Sequence, residues 1–427
     1  MQKSKTIELN LNKQLKKAII IIINNKENST SPYIRKEELK ALATTMKVQV
    51  FDSIIVPLKK ENSHTLIGKG KVIELKEIAK EYDIDLFIFE SDLSPNIQRN
   101  LEKELEVCTI DRREVILQIF SDRALTKEAS LQVELAKLEY SLPRLTRAWT
   151  NLSRQRGGTK TTKGEGETQL EIDRRLVQNR ITRLKKELEK VKKVRDTQRK
   201  NRINSNIPTV AIVGYTNSGK SSLLKNLSNS NIFVEDKLFA TLDTTTKKIK
   251  MPSHREMVFI DTVGFVNNLP HNLIEAFNST LEEVYYADVI LLVLDVSHPN
   301  LMGCYETTKE TLKELNCDEK PTIVMLNKID LKENEFDKAR LKALEPNLIE
   351  TSVKNKVNID LLLKKIEYTF AKDEDFSIFE IPNNRHDLIY FAKRNALVLD
   401  IKYEESFIFL KAKIKDRYIG ELINYKK

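Results

Sequence analysis

Residues 209–222 read TVAIVGYTNSGKSS, and they determine the fold of the region around them. The apolar, β-branched run 209–213 predicts a buried strand, and Ser222 with the two leucines after it predicts the start of a helix. Between them lies the pattern G-x-x-x-x-G-K-S, which in a strand–loop–helix context is typical of a phosphate-binding loop. Its glycines let backbone N–H groups point at phosphate oxygens, and the helix N-terminus adds partial positive charge. The sequence therefore predicts a nucleoside triphosphate site.

Catalytic roles follow for a few residues around this loop. Lys220 is expected to reach the β- and γ-phosphates, and Ser221 to offer its hydroxyl directly to Mg²⁺. The apolar run that begins at Val258 predicts a second buried strand, and it ends in Asp261, whose carboxylate would hold Mg²⁺ through water. Mg²⁺ is thus the predicted cofactor.

Two further loops are expected to sense the γ-phosphate. Thr241, in the stretch FATLD at 239–243, is predicted as a second direct Mg²⁺ ligand. Gly264, in DTVG at 261–264, is placed for its N–H to meet the γ-phosphate. We therefore assign catalytic roles to Lys220, Thr241 and Gly264.

The base is predicted to be guanine. The apolar run 322–326 is followed by Asn327-Lys-Ile-Asp330, and a carboxylate there can accept both the ring N–H and the exocyclic amine of guanine, a pair that adenine lacks. Ser352 and Val353 end another short apolar stretch, where a backbone N–H can meet the guanine carbonyl. The residues expected to contact GTP are Gly214, Tyr215, Thr216, Asn217, Ser218, Gly219, Lys220, Ser221, Ser222, Phe239, Ala240, Thr241, Leu242, Asp243, Asp261, Thr262, Val263, Gly264, Asn327, Lys328, Ile329, Asp330, Ser352, Val353 and Lys354.

The charge of the chain is concentrated in one segment. The 427 residues carry a net charge of +10, yet residues 144–202 alone hold 19 Lys and Arg against 7 Asp and Glu, which leaves the rest close to neutral. Such asymmetry favours a polyanionic partner, although solvated helix faces are often basic as well.

The basic segment and the residues just before it contain two heptad repeats separated by a polar stretch. Leucines at 131, 135, 138, 142 and 145 and apolar residues at 177, 181, 184, 188 and 191 each follow heptad spacing, which predicts two packed helices. The polar, glycine-rich stretch 152–168 would be the tip loop of an antiparallel hairpin. Cations and glycines in this loop are the candidate RNA contacts: Arg154, Arg156, Gly157, Gly158, Lys160 and Lys163.

The remaining sequence predicts two further domains. Candidate strands at 18–23, 48–56 and 86–89 alternate with candidate helices at 36–45, 71–82 and 97–106, which predicts an N-terminal α/β domain with a mainly parallel sheet. The last segment predicts a small α+β domain without visible chemistry. The expected domains are 1–126 (N-terminal α/β), 127–202 (hairpin), 203–372 (doubly wound, mainly parallel nucleotide domain) and 373–427 (C-terminal α+β).

The composition also bears on location. Three widely separated cysteines show no disulfide or metal spacing, which fits a reducing compartment. The longest apolar run near the N-terminus, 18–23, is far shorter than the ~20 residues that span a bilayer. We therefore expect a cytoplasmic protein without a transmembrane segment, and peripheral membrane association stays open.

Motifs from most of the chain resemble those of the HflX family of translational GTPases. They are LQVELA at 131–136, LPRL at 142–145, LSRQ at 152–155 with Gly157-Gly158, GETQLE at 166–171, DRR at 173–175, FATLD at 239–243 and DTVGF at 261–265. The resemblance implies a GTPase, and we expect the protein to bind GTP and GDP as a monomer. It also implies docking on the large (50S) ribosomal subunit, through rRNA and ribosomal proteins, in ribosome splitting, rescue or biogenesis. The sequence departs from the family pattern at Thr244, Glu165 and Val353.

Phe265 bears on the mechanism, because many GTPases place a glutamine after Asp-x-x-Gly to orient the attacking water. Phenylalanine cannot orient water, so we expect slow hydrolysis by the protein alone and stimulation by the ribosome. One alternative is a nucleotide-gated scaffold whose hairpin binds a protein. Another is an ATPase with a second nucleotide site at Gly68-Lys69-Gly70-Lys71.

Overall fold

The computed structural model describes residues 16–25, 30–58, 60–147, 169–204, 207–228, 238–239, 244–266, 282–332, 334–415 and 419–427. The chain divides into two compact units. One unit comprises Met1–Lys190 with Pro270–Ala276, and the other comprises Val191–Leu269 with Phe277–Lys427. The finer division into four domains stays a prediction. Among the described residues, no helix combines the length and the apolar character needed to cross a membrane.

The first unit contains a parallel sheet in the order β2-β1-β3-β4. Its strands are β1 Lys17–Asn24, β2 Gln49–Pro57, β3 Leu86–Phe89 and β4 Cys108–Asp111. Its helices are α1 Pro32–Thr45, α2 Lys69–Tyr82, α3 Pro95–Leu105 and α4 Arg112–Arg123. The predicted α/β alternation is confirmed, and β4 and α4 extend it beyond the elements that the sequence predicted.

Two helices follow in the region of the predicted hairpin. Helix α5 spans Lys127–Ser141 and helix α6 spans Gln169–Asn204. The expectation that one heptad helix continues to residue 145 is wrong, because Leu142–Arg147 forms a 3₁₀ helix instead. Pro143 accounts for the end of α5, since it lacks an N–H and its ring clashes with the preceding turn. The antiparallel course stays a prediction, because the connecting residues 148–168 lie outside the described ranges.

The second unit contains the predicted doubly wound sheet, in the order β10-β9-β8-β5-β7-β6, with only the edge strand β6 antiparallel. Its strands are β5 Thr209–Gly214, β6 Thr245–Lys250, β7 Glu256–Asp261, β8 Val289–Asp295, β9 Thr322–Asn327 and β10 Ile349–Glu350. Its helices are α7 Lys220–Ser228, α8 Leu301–Glu314, α9 Glu335–Leu344 and α10 Ile359–Phe370. The central strands are buried, as expected for a sheet covered on both faces. Gly214, Asp261 and Asn327 therefore meet at its carboxyl edge.

A small antiparallel sheet ends the chain, in the order β11-β13-β12. It is built from β11 Asp375–Pro382, β12 Leu397–Tyr403 and β13 Phe407–Ile414, with helix α11 at His386–Asn395. Arg255, in the turn between β6 and β7, forms a buried ion pair of 2.7 Å with Glu374 just before β11. Because breaking a buried pair is costly, this contact ties the small sheet to the nucleotide domain.

Candidate nucleotide-binding site

The loop between β5 and α7 has a backbone that only glycine fits at two points. Gly214 and Gly219 have φ angles of 149° and 99°. A Cβ atom on Gly214 would lie 2.2 Å from the carbonyl oxygen of Val293, and one on Gly219 would lie 2.3 Å from Nδ2 of Asn327. Both the angles and the close approaches therefore require glycine, and the loop has the conformation expected of a phosphate cradle.

Lys220 is buried inside this loop. Its Nζ donates hydrogen bonds to the carbonyl oxygens of Gly214 at 3.1 Å and Tyr215 at 2.8 Å. Burial lowers the pKa of Lys220 to about 8, against the opposing effect of the Asp261 carboxylate. A buried ammonium held by carbonyls is well placed for a ligand of high negative charge, which would favour its protonated form.

Other polar groups of the loop fit a nucleotide. Among the described residues, the hydroxyl oxygens of Thr216 and Ser218 are buried without a hydrogen-bond partner. Buried polar atoms are rarely left unsatisfied, so these hydroxyls suit a ligand that accepts or donates hydrogen bonds.

The predicted Mg²⁺ ligands on β7 and α7 lie together. The Ser221 hydroxyl donates a hydrogen bond of 2.6 Å to Oδ2 of Asp261, and Asp261 is fully buried at the end of β7. Hydroxyl and carboxylate oxygens are the hard donors that Mg²⁺ prefers, and this ion usually completes its shell with water and phosphate. The two residues therefore fit Mg²⁺ as the sequence predicts.

The segment after Asp261 lies directly over the phosphate-binding loop. Phe265 accepts a hydrogen bond of 2.8 Å from the N–H of Thr216, and its own N–H donates to Gly214 at 3.0 Å. A Cβ atom on Gly264 would lie 3.0 Å from Nζ of Lys220, so Gly264 and Lys220 are neighbours. The Phe265 side chain is only 2% exposed. It packs inside the protein and supplies no polar group to a water molecule.

The guanine motif is joined to the same loop through Asn327. Its Nδ2 donates to the carbonyl oxygen of Ser218 at 3.0 Å. Beyond it, Asp330 accepts a hydrogen bond of 2.6 Å from the buried hydroxyl of Ser352. This hydrogen bond lowers the pKa of Asp330 and keeps it ionised. An ionised, oriented carboxylate at this point can accept the two donors of guanine.

Val353 is joined to Asn327 of the guanine motif. Its N–H donates a hydrogen bond of 3.1 Å to Oδ1 of Asn327, and its side chain belongs to the hydrophobic core. Strand β10 pairs with β9, which ends at Asn327, and this pairing brings the two residues together. A backbone N–H from this segment to the guanine carbonyl stays a prediction.

Comparisons with known proteins agree with this geometry. Three family profiles match in order: "GTP-binding GTPase N-terminal" at 34–121, "GTP-binding GTPase Middle Region" at 123–202 and "50S ribosome-binding GTPase" at 209–328. A GTPase HflX of Treponema denticola is 49% identical over 343 residues, which covers 78% of this chain and 87% of the relative. One of Caldanaerobacter subterraneus is 41% identical over 412 residues, which covers 95% and 92%. This chain belongs to the HflX family of GTPases.

As a member of the HflX family, the protein binds GTP and has a GTPase domain that hydrolyses it. A crystal structure of a GTP-binding protein from Sulfolobus solfataricus in complex with GDP is 27% identical. The match covers 84% of this chain and 99% of that one, with a TM-score of 0.45.

Some predicted site residues of this HflX protein lie outside the described ranges. They are Ala240, Thr241, Leu242 and Asp243 near the γ-phosphate, and Arg154, Arg156, Gly157, Gly158, Lys160 and Lys163 in the tip loop. Phe239 is described and is buried with a left-handed φ of 53°. Its side chain therefore belongs to the protein interior.

Sequence reasoning missed how fully Arg144 is used within the protein. Its guanidinium donates to Oε1 of Gln98 at 2.9 Å and to the carbonyl oxygen of Leu93 at 2.7 Å, and it lies 3.6 Å from the ring centroid of Tyr140. This arginine of the LPRL motif therefore fixes the 3₁₀ helix to α3 and to the segment that precedes α3. No local pattern of the sequence indicates this role, because Gln98 and Leu93 lie about 50 residues earlier in the chain.

Two more cations of the basic segment have carboxylate partners. Arg180 pairs with Glu134 at 2.8 Å, and Lys185 pairs with Glu139 at 2.8 Å. Both pairs join α6 to α5. Residues 144–202 carry a net charge of +12 (19 Lys and Arg minus 7 Asp and Glu), and this value therefore overstates the positive charge that the segment offers to a partner.

Proposed function

We propose that this HflX protein is a Mg²⁺-dependent GTPase that binds the large ribosomal subunit and acts in ribosome splitting, rescue or biogenesis. The description "50S ribosome-binding GTPase" of the profile that matches residues 209–328 supports the partner. The observation that carries the proposal is the buried Phe265 after Asp-Thr-Val-Gly, where a water-orienting glutamine is common. A GTPase built in this way depends on its partner for fast hydrolysis.

Each part of the site has a proposed role. Lys220 and the loop N–H groups bind the β- and γ-phosphates, while Ser221 directly and Asp261 through water hold Mg²⁺. The bound ion neutralises the charge that develops on the phosphates. Thr241 supplies the second direct ligand, the Gly264 N–H detects the γ-phosphate, and Asp330 selects guanine. The remaining GTP contacts are those predicted from the sequence.

The proposed division of labour follows the four predicted domains. The nucleotide domain, 203–372, controls through GTP hydrolysis how long the protein stays attached to the subunit. The hairpin, 127–202, contacts rRNA through its tip loop. The protein acts as a cytoplasmic monomer. Because GTP orders such loops and hydrolysis releases them, the nucleotide state would control attachment to the subunit.

The decisive test is cosedimentation of the full chain with 50S subunits in sucrose gradients, with GDP or a nonhydrolysable GTP analogue. We expect cosedimentation with the analogue that weakens steeply as salt is raised, since several phosphate contacts release counterions. Binding that is insensitive to salt would favour the scaffold alternative, in which the hairpin contacts protein.

GTP turnover tests the role of Phe265 separately. We expect 50S subunits to raise the steady-state rate well above that of the protein alone. Equal rates with and without subunits would contradict the proposal. Replacement of Gly157 and Gly158 by bulky residues should reduce the stimulation and leave GTP affinity unchanged, which isolates the tip loop from the nucleotide site.

A further inference from the structure

The small C-terminal sheet, β11-β13-β12, has two faces of different character. One face is apolar and buried, because Ile408, Leu410, Ala412 and Ile414 of the central strand β13 pack against α11 and the segment around Leu422. Successive side chains of a strand point to opposite sides, so the residues between them form the other face. We call this second face the outer face.

The outer face of β13 carries two aromatic residues followed by two lysines. Phe407 and Phe409 come first, and Lys411 and Lys413 continue the row on the same side. Phe407 is 40% exposed and Phe409 is half-buried. Residues two apart on a strand are separated by about 6.8 Å, so the two phenylalanines and the two lysines project in one row from the same side of β13.

The neighbouring strands add to this row. On β12, Lys402 lies opposite Phe409, and on β11, Phe376 lies opposite Lys413. Within the described part of the chain, neither Lys402 nor Lys411 forms an ion pair, although Asp400 lies opposite Lys411. Their positive charge borders the exposed rings.

Other charged side chains on this face have partners or neighbours within the protein. Lys427 pairs with Glu380 at 3.0 Å and holds its ammonium 5.0 Å from the ring centroid of Phe409. Lys413 lies 5.1 Å from the ring centroid of Tyr368. Asp400 lies opposite Lys411 and is the remaining carboxylate. Lysines thus outnumber carboxylates by four to two, with the excess beside the aromatic rings.

We propose that the outer face of this sheet, through Phe407, Phe409, Lys402 and Lys411, binds single-stranded RNA. Aromatic rings on the open face of an antiparallel sheet are platforms on which unpaired bases stack, and flanking cations bind the phosphates. Lysine is instead depleted at the centre of protein–protein interfaces. The proposal goes beyond the ribosome role, because it names a second RNA-binding surface outside the hairpin and needs no ribosome for its test.

The test uses the full chain and a fluorescein-labelled 12-nucleotide RNA without self-complementarity, read by fluorescence anisotropy. Arg154, Arg156, Lys160 and Lys163 are replaced by glutamine in every sample, so that the tip loop does not obscure the sheet. In this background, Phe407→Ala with Phe409→Ala should weaken binding by about fivefold or more for each ring removed. Phe407→Tyr with Phe409→Tyr should bind as the unsubstituted rings do, since tyrosine also stacks.

The matched control is Tyr390→Ala, because Tyr390 is 72% exposed on α11, which covers the opposite face. It should leave RNA affinity unchanged. Lys402→Gln with Lys411→Gln should reduce the slope of log affinity against log salt by about 0.7 for each phosphate that the lysines no longer neutralise. GTP affinity and thermal unfolding of each variant show that it is folded.

Several results would overturn the proposal. One is an unchanged RNA affinity of the Phe407→Ala, Phe409→Ala protein. Another is a 4-thiouridine crosslink that maps only to other segments. Cosedimentation with 50S subunits is measured in a protein that keeps its native tip loop. If the Phe407→Ala, Phe409→Ala substitutions leave RNA binding unchanged but abolish this cosedimentation, the face binds protein and the RNA proposal is wrong. Normal 50S binding together with no RNA effect would contradict this proposal and leave the proposed function intact.

Discussion

The chain contains two Gly-Lys turns at the start of helices, Gly219-Lys220 and Gly68-Lys69-Gly70-Lys71. They differ in backbone angle, in the space around the glycines and in the contacts of the lysines. At Gly219-Lys220 the glycine has a φ of 99° and a Cβ atom would collide with Asn327. At Gly68 and Gly70 a Cβ atom would meet nothing within 4 Å, and Gly68 has an ordinary φ of −66°. The first turn needs glycine, whereas the second has room for a side chain at both glycines.

The lysines of the two turns differ in the same way. Lys220 is buried and bonded to loop carbonyls, whereas Lys71 pairs with Glu74, one turn further along its own helix, at 2.6 Å. A surface pair of this kind contributes little, and it leaves no cation directed at a ligand. The geometry of the N-terminal turn is that of an ordinary helix start, so it does not support the alternative of a second nucleotide site there.

The largest expected effect comes from removal of the buried cation. Lys220→Ala should weaken GTP binding by about 100-fold or more, because a desolvated charge that meets phosphates is removed. Titration calorimetry measures the affinity. Lys71→Ala is the matched control and should leave GTP affinity unchanged. A similar loss of affinity in both variants would contradict the conclusion that only the Lys220 turn binds a nucleotide.

A second large effect is expected at the strained glycine. Gly219→Ala places a methyl group against Asn327 at a φ that side chains rarely adopt, which costs about 1–3 kcal/mol. GTP affinity should fall by about tenfold, as read by fluorescence of a labelled GTP. Wild-type affinity in this variant would show that the loop tolerates a side chain.

A smaller effect is expected where Ser352 orients Asp330. Ser352→Ala removes one hydrogen bond to the carboxylate, worth about 1 kcal/mol, so GTP affinity should fall by about fivefold. The pKa of Asp330 should rise towards its ordinary value. Competition binding measures GTP against ATP, and unchanged selectivity would contradict the role assigned to this hydroxyl.

The smallest effect has the opposite sign. Gly70 lies in the first turn of α2, so Gly70→Ala should raise the free energy of unfolding by about 0.5 kcal/mol through a lower backbone entropy of the unfolded chain. Urea unfolding measures this change, and GTP affinity should not move. A decrease in stability would show that this glycine has a structural role after all.

Much of the nucleotide site could be predicted because its determinants are local. A β-branched run, two glycines at fixed spacing and a lysine specify strand, loop and helix within 14 residues, and Asp261, Asn327 and Asp330 each follow a buried strand. The carboxyl ends of parallel strands meet at one edge of the sheet, so these residues had to converge. The hydrogen bond from Val353 to Asn327 could not be predicted, because it depends on where β10 lies beside β9.

The sequence by itself determined the nucleotide, the order of the α/β elements and the family resemblance, since periodicity and spacing encode them directly. Only the tertiary structure showed that Gly219 needs to be glycine and Gly70 does not, that Arg144 serves the protein interior, and that Phe407 and Lys411 share an open face. These facts depend on atoms far apart in the chain. Packing brings such atoms within a few ångströms, and no local pattern records that distance.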